Sequence, residues 1–597
     1  MTGFGPRPRD SIRALLTAAA IACVLAAAPV LGAIPPYATE RESPLRFRLA
    51  DETVLRIQKA LAAIGLYVGP VDGRMNAQTE AAIKVYQRLR GLKADGIASE
   101  NIANLLDTGE KVGELLDRLE KSRREETDAA RKALLAHPAT RDLVLGAGDE
   151  AADPTRDPTP CFRKPTVRCL LTEAVESSKA IPKTELRDWA LGEILASQAK
   201  AGLGREALET VRRIGDPRLI MVALRDIAEG QAVGGRAAEA LAAAEIIPDM
   251  TKKTEAYAAI SDLLARHGRA DAARTAVARM LALADDLGDP VQRVQFRAKA
   301  ATVLALTGDD AGAGRELAAA ERLARDETPP QAVGRALRHV ASALADLRDT
   351  ERAMAILRDV PDESDRVTVL MATATRQADA GDAAAALAIA DNIEEVRYRA
   401  VVLGRIAVAQ ARAGDTAAAD TTIETALAAV DRIKMPYARS YAIARIALSL
   451  ADIGAGDMAK DGAKDATKAA GAAAFDRAAE TAERIGDAQM RAQTLWAVAA
   501  ARTRAKDADG AAKTEALAEE ATAAIKSTVN QVWMFGDVAL QRAVEGQPEA
   551  AWRAFDRGLA VAETVTNAWG RARVLARLAQ TLVHLVAAAP LDASAKR

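Results

Sequence analysis

Apolar side chains return every three to four positions along most of this chain, and short polar breaks interrupt them. Leu55, Ile57, Ala60, Leu61 and Ile64 keep helical spacing until Gly65, where a left-handed turn costs a glycine nothing. After the turn Gly69-Pro70-Val71-Asp72-Gly73, the period resumes at Thr79, Ala82, Ile83 and Tyr86 and runs to Gly91. The turn Asp95-Gly96 opens a third short helix over 99–106. Three short helices joined by two Asp-Gly turns predict a compact bundle close to the lower size limit for independent folding. From Glu110 to Leu135 the pattern is helical but heavily charged, as a solvated spacer helix would be. Residues 146–160 then collect Gly, Asp, Thr and Pro, a composition that resists regular structure and reads as a linker.

Beyond the linker the pattern repeats. Gly202, Gly235, Gly268, Gly308, Gly381, Gly414, Gly454 and Gly546 each lie in a short polar break, with Arg348 and Lys506 in the same place in two further copies. Five residues after every one of these ten turns stands an alanine, from Ala207 to Ala551. Seven residues before nine of them stands a small side chain, such as Ala228, Ser261 or Ala407, with Leu195 as the exception. Small residues on both sides of a turn let two antiparallel helices approach closely, so each unit predicts a helical hairpin. Shorter breaks such as Ile214-Gly215-Asp216 and Ile485-Gly486-Asp487 end the second helices. A hairpin of this kind cannot bury its apolar face alone and must stack on its neighbours. Residues 187–589 are therefore expected to form one right-handed α-solenoid, its inner groove lined by first helices and serving as a partner surface. The last helix, Arg571 to Ala589, is expected to stand without a partner helix, as a cap.

Composition narrows the functional classes. Aromatics make up 3% of the 597 residues while alanine is abundant, which suits closely packed helices. Lys and Arg total 81 against 82 Asp and Glu, and no basic stripe stands out, which argues against nucleic acid as a partner. Arg7, Arg9 and Arg13 precede an apolar run from Ala14 to Ala33 that ends in Gly32-Ala33, the layout of a secretory signal over 1–33. Cleavage after Ala33 and an uncleaved membrane anchor both fit this run. Cys161 and Cys169 follow the linker directly, and in an oxidising compartment a pair this close can form a disulfide that stabilises the fold by about 2.5 kcal/mol. Two free thiols are the alternative, and two thiols without a nearby histidine leave a zinc ion short of ligands. His137, His267, His339 and His584 are scattered, and neither HExxH nor GxSxG occurs. No catalytic residue, metal site or cofactor is expected.

Two resemblances add to this reading. Gln58, Leu61, Ile64-Gly65, Val71-Asp72-Gly73, Thr79, Ala82, Tyr86-Gln87 and Asp95-Gly96 follow, in order, the pattern of the three-helix peptidoglycan-binding domain, which residues 50–107 resemble. Met75-Asn76 stands where that family prefers Phe-Gly; asparagine tolerates positive φ, so the turn is expected to survive without the aromatic at its edge. The resemblance implies peptidoglycan as a partner and a contact region around Tyr67, Asp72, Gly73, Thr79 and Gln87, with Asp72 either contacting ligand or holding the turn. The ten hairpins, with their turn glycine and the alanine five residues later, resemble degenerate tetratricopeptide repeats over 161–597, and other α-solenoid types stay open. Residues 108–160 connect the two. The chain thus reads as all-α, a small wall-binding bundle followed by about ten hairpins, in a periplasmic, non-enzymatic protein that scaffolds unidentified envelope proteins. A wall enzyme with a cryptic site in the repeats and an envelope assembly factor with a decayed wall-binding domain are the alternatives. Membrane is a partner only if the signal segment is uncleaved.

Overall fold

A computed structural model describes residues 44–146, 150–459 and 465–588, so the apolar run over 14–33 lies outside the described residues. Among the described residues there is no β-strand, and no helix is long and apolar enough to cross a membrane. The chain divides into two compact units between Ser122 and Arg123.

The first unit is built on α1 (Pro44–Ala63), α2 (Ala77–Leu89) and α3, which runs Glu100–Ala136. Ile57, Leu61, Ile83, Tyr86, Ala103 and Leu106 form its core. Gly65 and Gly91 both have positive φ, and the next residue closes each helix end: Leu66 N–H donates to the Leu61 carbonyl and Leu92 N–H to the Gln87 carbonyl. The short third helix and the separate spacer expected from the sequence are one continuous helix. Gly109 has no positive φ and no proline intervenes, so nothing stops the helix. A glycine inside a helix costs only about 1 kcal/mol.

In the second unit, α4 (Arg141–Val144), α5 (Thr159–Arg163) and α6 (Val167–Lys179) precede the hairpins. These are α7 (Thr184–Lys200) with α8 (Gly204–Val211), α9 (Pro217–Val233) with α10 (Ala237–Glu245), α11 (Met250–Arg266) with α12 (Ala270–Ala284), and α13 (Pro290–Leu306) with α14 (Asp310–Arg322). There follow α15 (Val333–Asp346) with α16 (Thr350–Leu357), α17 (Glu363–Asp379) with α18 (Ala383–Ala390), and α19 (Val396–Arg412) with α20 (Thr416–Val430). The last are α21 (Pro436–Met458) with α22 (Asp465–Glu483), α23 (Ala488–Arg504) with α24 (Ala508–Ala523), α25 (Thr528–Val544) with α26 (Pro548–Glu563), and α27 (Ala568–Ala588).

The turns explain the hairpins. Gly414 at φ 90° closes α19: its N–H donates to the Ala411 carbonyl, and Asp415 N–H reaches back to Gln410. Asp415 then caps α20, its carboxylate accepting from Ala418 N–H. One Gly-Asp pair thus ends one helix and starts the next. Arg348 and Lys506 take the same left-handed conformation, at φ 66° and 62°, which the repeat register alone predicts for them. Asp349 and Asp507 cap the helices that follow. At the outer breaks Asp216, Asp249, Asp289, Asp362 and Asp487 cap the first helices, with Pro217 and Pro290 in the first helical turn.

One expected turn is not at its place. Gly454 is inside α21, which continues to Met458. Gly454 serves close packing instead: a Cβ on it would meet the Gly471 carbonyl of α22 at 2.8 Å and the Phe475 ring at 3.1 Å. In the other nine copies the alanine at plus five is buried, and so is the small residue at minus seven in the eight copies that have one. Ala407 and Ala419 are both buried, on opposite sides of one turn. Ala407→Leu is therefore expected to overpack that contact and cost roughly 1 to 3 kcal/mol, whereas exposed Arg412→Ala should stay within about 0.5 kcal/mol. Comparable melting of the two variants would show that the register is wrong.

The array does not end on an unpaired cap. The odd-numbered helices from α7 to α25 pack each against the next, and α27 packs on both α25 and α7, closing the sequence of first helices into a cycle. The expected unpaired terminal cap is thus corrected. The second-helix partner of α27 is α6, which comes before all the hairpins in the chain, so the last hairpin is assembled from the two ends of the unit. The reason is apolar area: α6 buries Leu170, Leu171 and Ala174, α27 buries Leu575, Leu578 and Leu582, and neither helix could cover these side chains alone. Arg573 of α27 locks the junction, with its Nε and Nη2 each 2.9 Å from the Glu193 carboxylate of α7. Cys161 of α5 and Cys169 of α6 are bonded to each other, with Cα atoms 5.8 Å apart, directly beside this junction. We expect neither cysteine to take up a thiol reagent in native protein until a reductant is added, a result readable by intact mass.

Candidate functional site

The two Asp-Gly turns of the first unit are held by the same device. Gln58 on α1 is fully buried; its Oε1 accepts from Asp72 N–H (3.1 Å) and Gly73 N–H (2.8 Å), while its Nε2 donates to the Arg74 carbonyl (2.9 Å). Gln87 on α2 repeats this at the second turn, its Oε1 accepting from Gly96 N–H (2.9 Å) and its Nε2 donating to Asp95 (2.7 Å). Each turn aspartate folds back on its own loop: Asp72 accepts from Arg74 N–H and Asp95 from Ile97 N–H. The backbone hydrogen bond from Arg74 holds the Asp72 carboxyl below its ordinary pKa, and the Gln87 side chain does the same for Asp95. A pair of glutamines thereby supplies the hydrogen bonds that two irregular loops cannot make for themselves.

Tyr67 and Thr79 complete the first of these networks. The Tyr67 hydroxyl donates to the Pro70 carbonyl (2.8 Å) and accepts from the Asn76 side chain (3.2 Å), and Thr79 Oγ1 lies 3.1 Å from Gln58 Nε2. Asn76 does not adopt positive φ as expected; at φ −140° it is extended and caps α2 by accepting from Thr79 N–H. Its role is that of an N-cap, for which asparagine is among the best residues.

Four of the five residues expected to meet ligand are therefore interior. Tyr67, Gly73, Thr79 and Gln87 are buried, and only Asp72 reaches solvent. They shape the loop from below. The surface they support is made by Val68, Val71, Asp72, Arg74 and Met75, with Val68 98% exposed. The sequence pattern marks the supporting residues because their hydrogen bonds demand particular side chains. Nothing in it marks the apolar rim. Arg56 of α1 pairs with Glu100 and Asp107 of α3, fixing the third helix to the first.

Motif reading leaves out one spacing, the Ser-x-x-Lys of Ser197 and Lys200, which serine acyl-enzymes use. Here both sit in the last turn of α7, and the buried Ser197 hydroxyl donates to the Glu193 carbonyl (2.9 Å). A nucleophile must reach substrate, and this one does not.

Comparison with known proteins agrees with the geometry of the first unit. Residues 50–106 match the family described as "Putative peptidoglycan binding domain". A protein of Synechocystis sp. (strain ATCC 27184 / PCC 6803 / Kazusa) named "Putative OxPP cycle protein OpcA" is 37% identical over 70 residues, covering 11% of this chain and 15% of that relative. Of solved structures, Ton1535 from Thermococcus onnurineus NA1 is 18% identical, with 56% of this chain and 98% of that one covered at a TM-score of 0.26. A circular tandem repeat protein is 13% identical, with 71% and 96% covered at a TM-score of 0.17. Likenesses this weak decide nothing about the fold. Matched pattern and hydrogen-bonded turns together identify residues 50–106 as a domain of the peptidoglycan-binding type, carried by a chain that is otherwise an all-α helical-repeat array.

Proposed function

We propose that this is an exported, non-enzymatic protein of the periplasm that binds peptidoglycan through residues 50–106 and offers its repeat array to protein partners in the cell envelope. The observation that carries the reading is the pair of glutamine-pinned Asp-Gly turns within a segment matching the peptidoglycan-binding family. The exposed rim beside the first turn is the contact surface. Two features support a non-catalytic array. Burial raises the pKa of Asp188 and Asp537, as a general acid requires, yet Asp188 accepts from Gly215 N–H and Asp216 N–H and Asp537 pairs with Arg577. Both carboxylates are committed to structure.

Co-sedimentation of the full chain with purified sacculi tests the proposal. Val68→Asp together with Met75→Asp is expected to weaken binding by about tenfold, roughly 1.4 kcal/mol, with helicity unchanged and no muropeptide released by either protein. Undiminished sedimentation of the double variant would place the contact elsewhere.

A further inference from the structure

Nine turns keep the hairpin register, and seven of them carry a glycine in the left-handed conformation. Arg348, between α15 and α16, holds that conformation at φ 66°, which an L side chain adopts only against steric resistance. Strain of this kind persists where the surroundings favour the residue for another reason, and it gathers at binding sites. Lys506 is strained in the same way at φ 62°, so strain alone does not single out Arg348. What lies beside it does. Arg348 lines a hollow of about 330 Å³, formed where the C-terminal halves of α11, α13, α15 and α17 run side by side. Asp262 and Arg266 of α11, Lys299 of α13, Asp346 of α15 and Arg376 of α17 line it too.

The charges of this hollow do not balance. Asp262 is shared by two cations, with Arg266 Nε and Lys299 Nζ each 2.7 Å from its carboxylate, and Asp346 pairs with Arg376. The exposed Arg348 side chain makes no ion pair or hydrogen bond among the described residues. Four cations thus meet two carboxylates. Carboxylates on the adjoining segments are committed elsewhere: Asp379 pairs with Arg405, Asp349 with Arg352 and Asp271 with Arg274, while Asp309 and Asp310 complement the N-terminus of α14.

We propose that this hollow binds the phosphate group of a small molecule that also carries hydroxyls. Guanidinium forks match phosphate oxygens pairwise, and lysine adds a point charge. A phosphate monoester carries about 1.5 to 2 negative charges at neutral pH, which offsets the surplus of the lining. The two aspartates offer acceptors to hydroxyls of the same ligand and so orient it. Glycine would suit the turn at Arg348 and would leave the hollow one guanidinium short. This site does not rest on the wall-binding reading.

Calorimetric titration of the full chain at fixed ionic strength compares glucose 6-phosphate, inorganic phosphate and citrate. Saturable binding is expected with glucose 6-phosphate, with inorganic phosphate weaker by about fivefold and citrate by about tenfold. Arg348→Gly puts in the residue that most other copies use, so it should melt no lower than the parent while its affinity for glucose 6-phosphate falls about tenfold. Lys506→Gly removes the same charge and the same strain from a turn outside the hollow and should bind like the parent. Should Arg348→Gly melt early, Lys299→Gln reads binding in its place, with the same expected loss. The proposal is overturned by the absence of saturable binding, by inorganic phosphate or citrate binding as tightly as glucose 6-phosphate, by parent-like affinity in the variant at the hollow, or by an equal loss in Lys506→Gly.

Discussion

Gln58→Ala is expected to unfold the first unit while leaving the repeat array intact. The side chain is fully buried and accepts from two backbone N–H groups, those of Asp72 and Gly73. Leaving each without a partner costs about 1 to 3 kcal/mol, and the void left by the amide adds to that. A domain this small holds only about 3 to 8 kcal/mol in all, so most of its stability is removed by one substitution. Gln58→Glu keeps both acceptor contacts but replaces the donor to Arg74, Thr79, Tyr67 and Asp72 with a buried carboxylate oxygen that faces the Arg74 carbonyl and the Asp72 carboxylate, so at neutral pH it should not rescue the turn. Hydrogen exchange at the amides of residues 72 and 73 reads the effect directly, and sacculus sedimentation should be lost with it. Parent-like protection in Gln58→Ala would mean that the turn holds itself.

Arg573→Ala should loosen the junction that closes the array. Its guanidinium is held by the Glu193 carboxylate and by three indole rings, and both charged side chains are mostly shielded from water. Truncation leaves Glu193 unpaired and removes the cation–π contacts, for an expected loss of about 2 to 3 kcal/mol once partial exposure is allowed for. Because α6 packs chiefly on α27, exchange should rise in these two helices before it rises in the middle hairpins. Small-angle scattering should record a larger radius of gyration near the melting onset. Arg573→Lys keeps the charge and not the planar stack, so it should recover part of the loss. Uniform exchange across the array in Arg573→Ala would show that closure does not depend on this residue.

Much of the fold is local and so could be read from the chain. Helical period, Gly-Asp turns and flanking alanines each depend on residues a few positions apart, and Arg348 and Lys506 could be assigned the left-handed turn because their neighbours repeat those of Gly202 or Gly414. The same holds for the paired Asp-Gly turns of the first unit. Errors arose where the deciding partner lies far off in sequence. Gly454 looks like a turn glycine until Gly471 and Phe475 are packed against it. Tyr67, Thr79 and Gln87, expected near the contact region, lie buried beneath the loop, a placement that no local pattern reveals. Sequence by itself determined the helices, the hairpin register and the kind of domain at residues 50–106, because backbone conformation and apolar period are set by near neighbours. Only the tertiary structure decided that α27 joins α6 and α7, and with that the meeting of Trp189, Trp533, Trp569 and Arg573. Such a meeting depends on the summed rotation of all the hairpins, a quantity to which no short stretch of sequence corresponds.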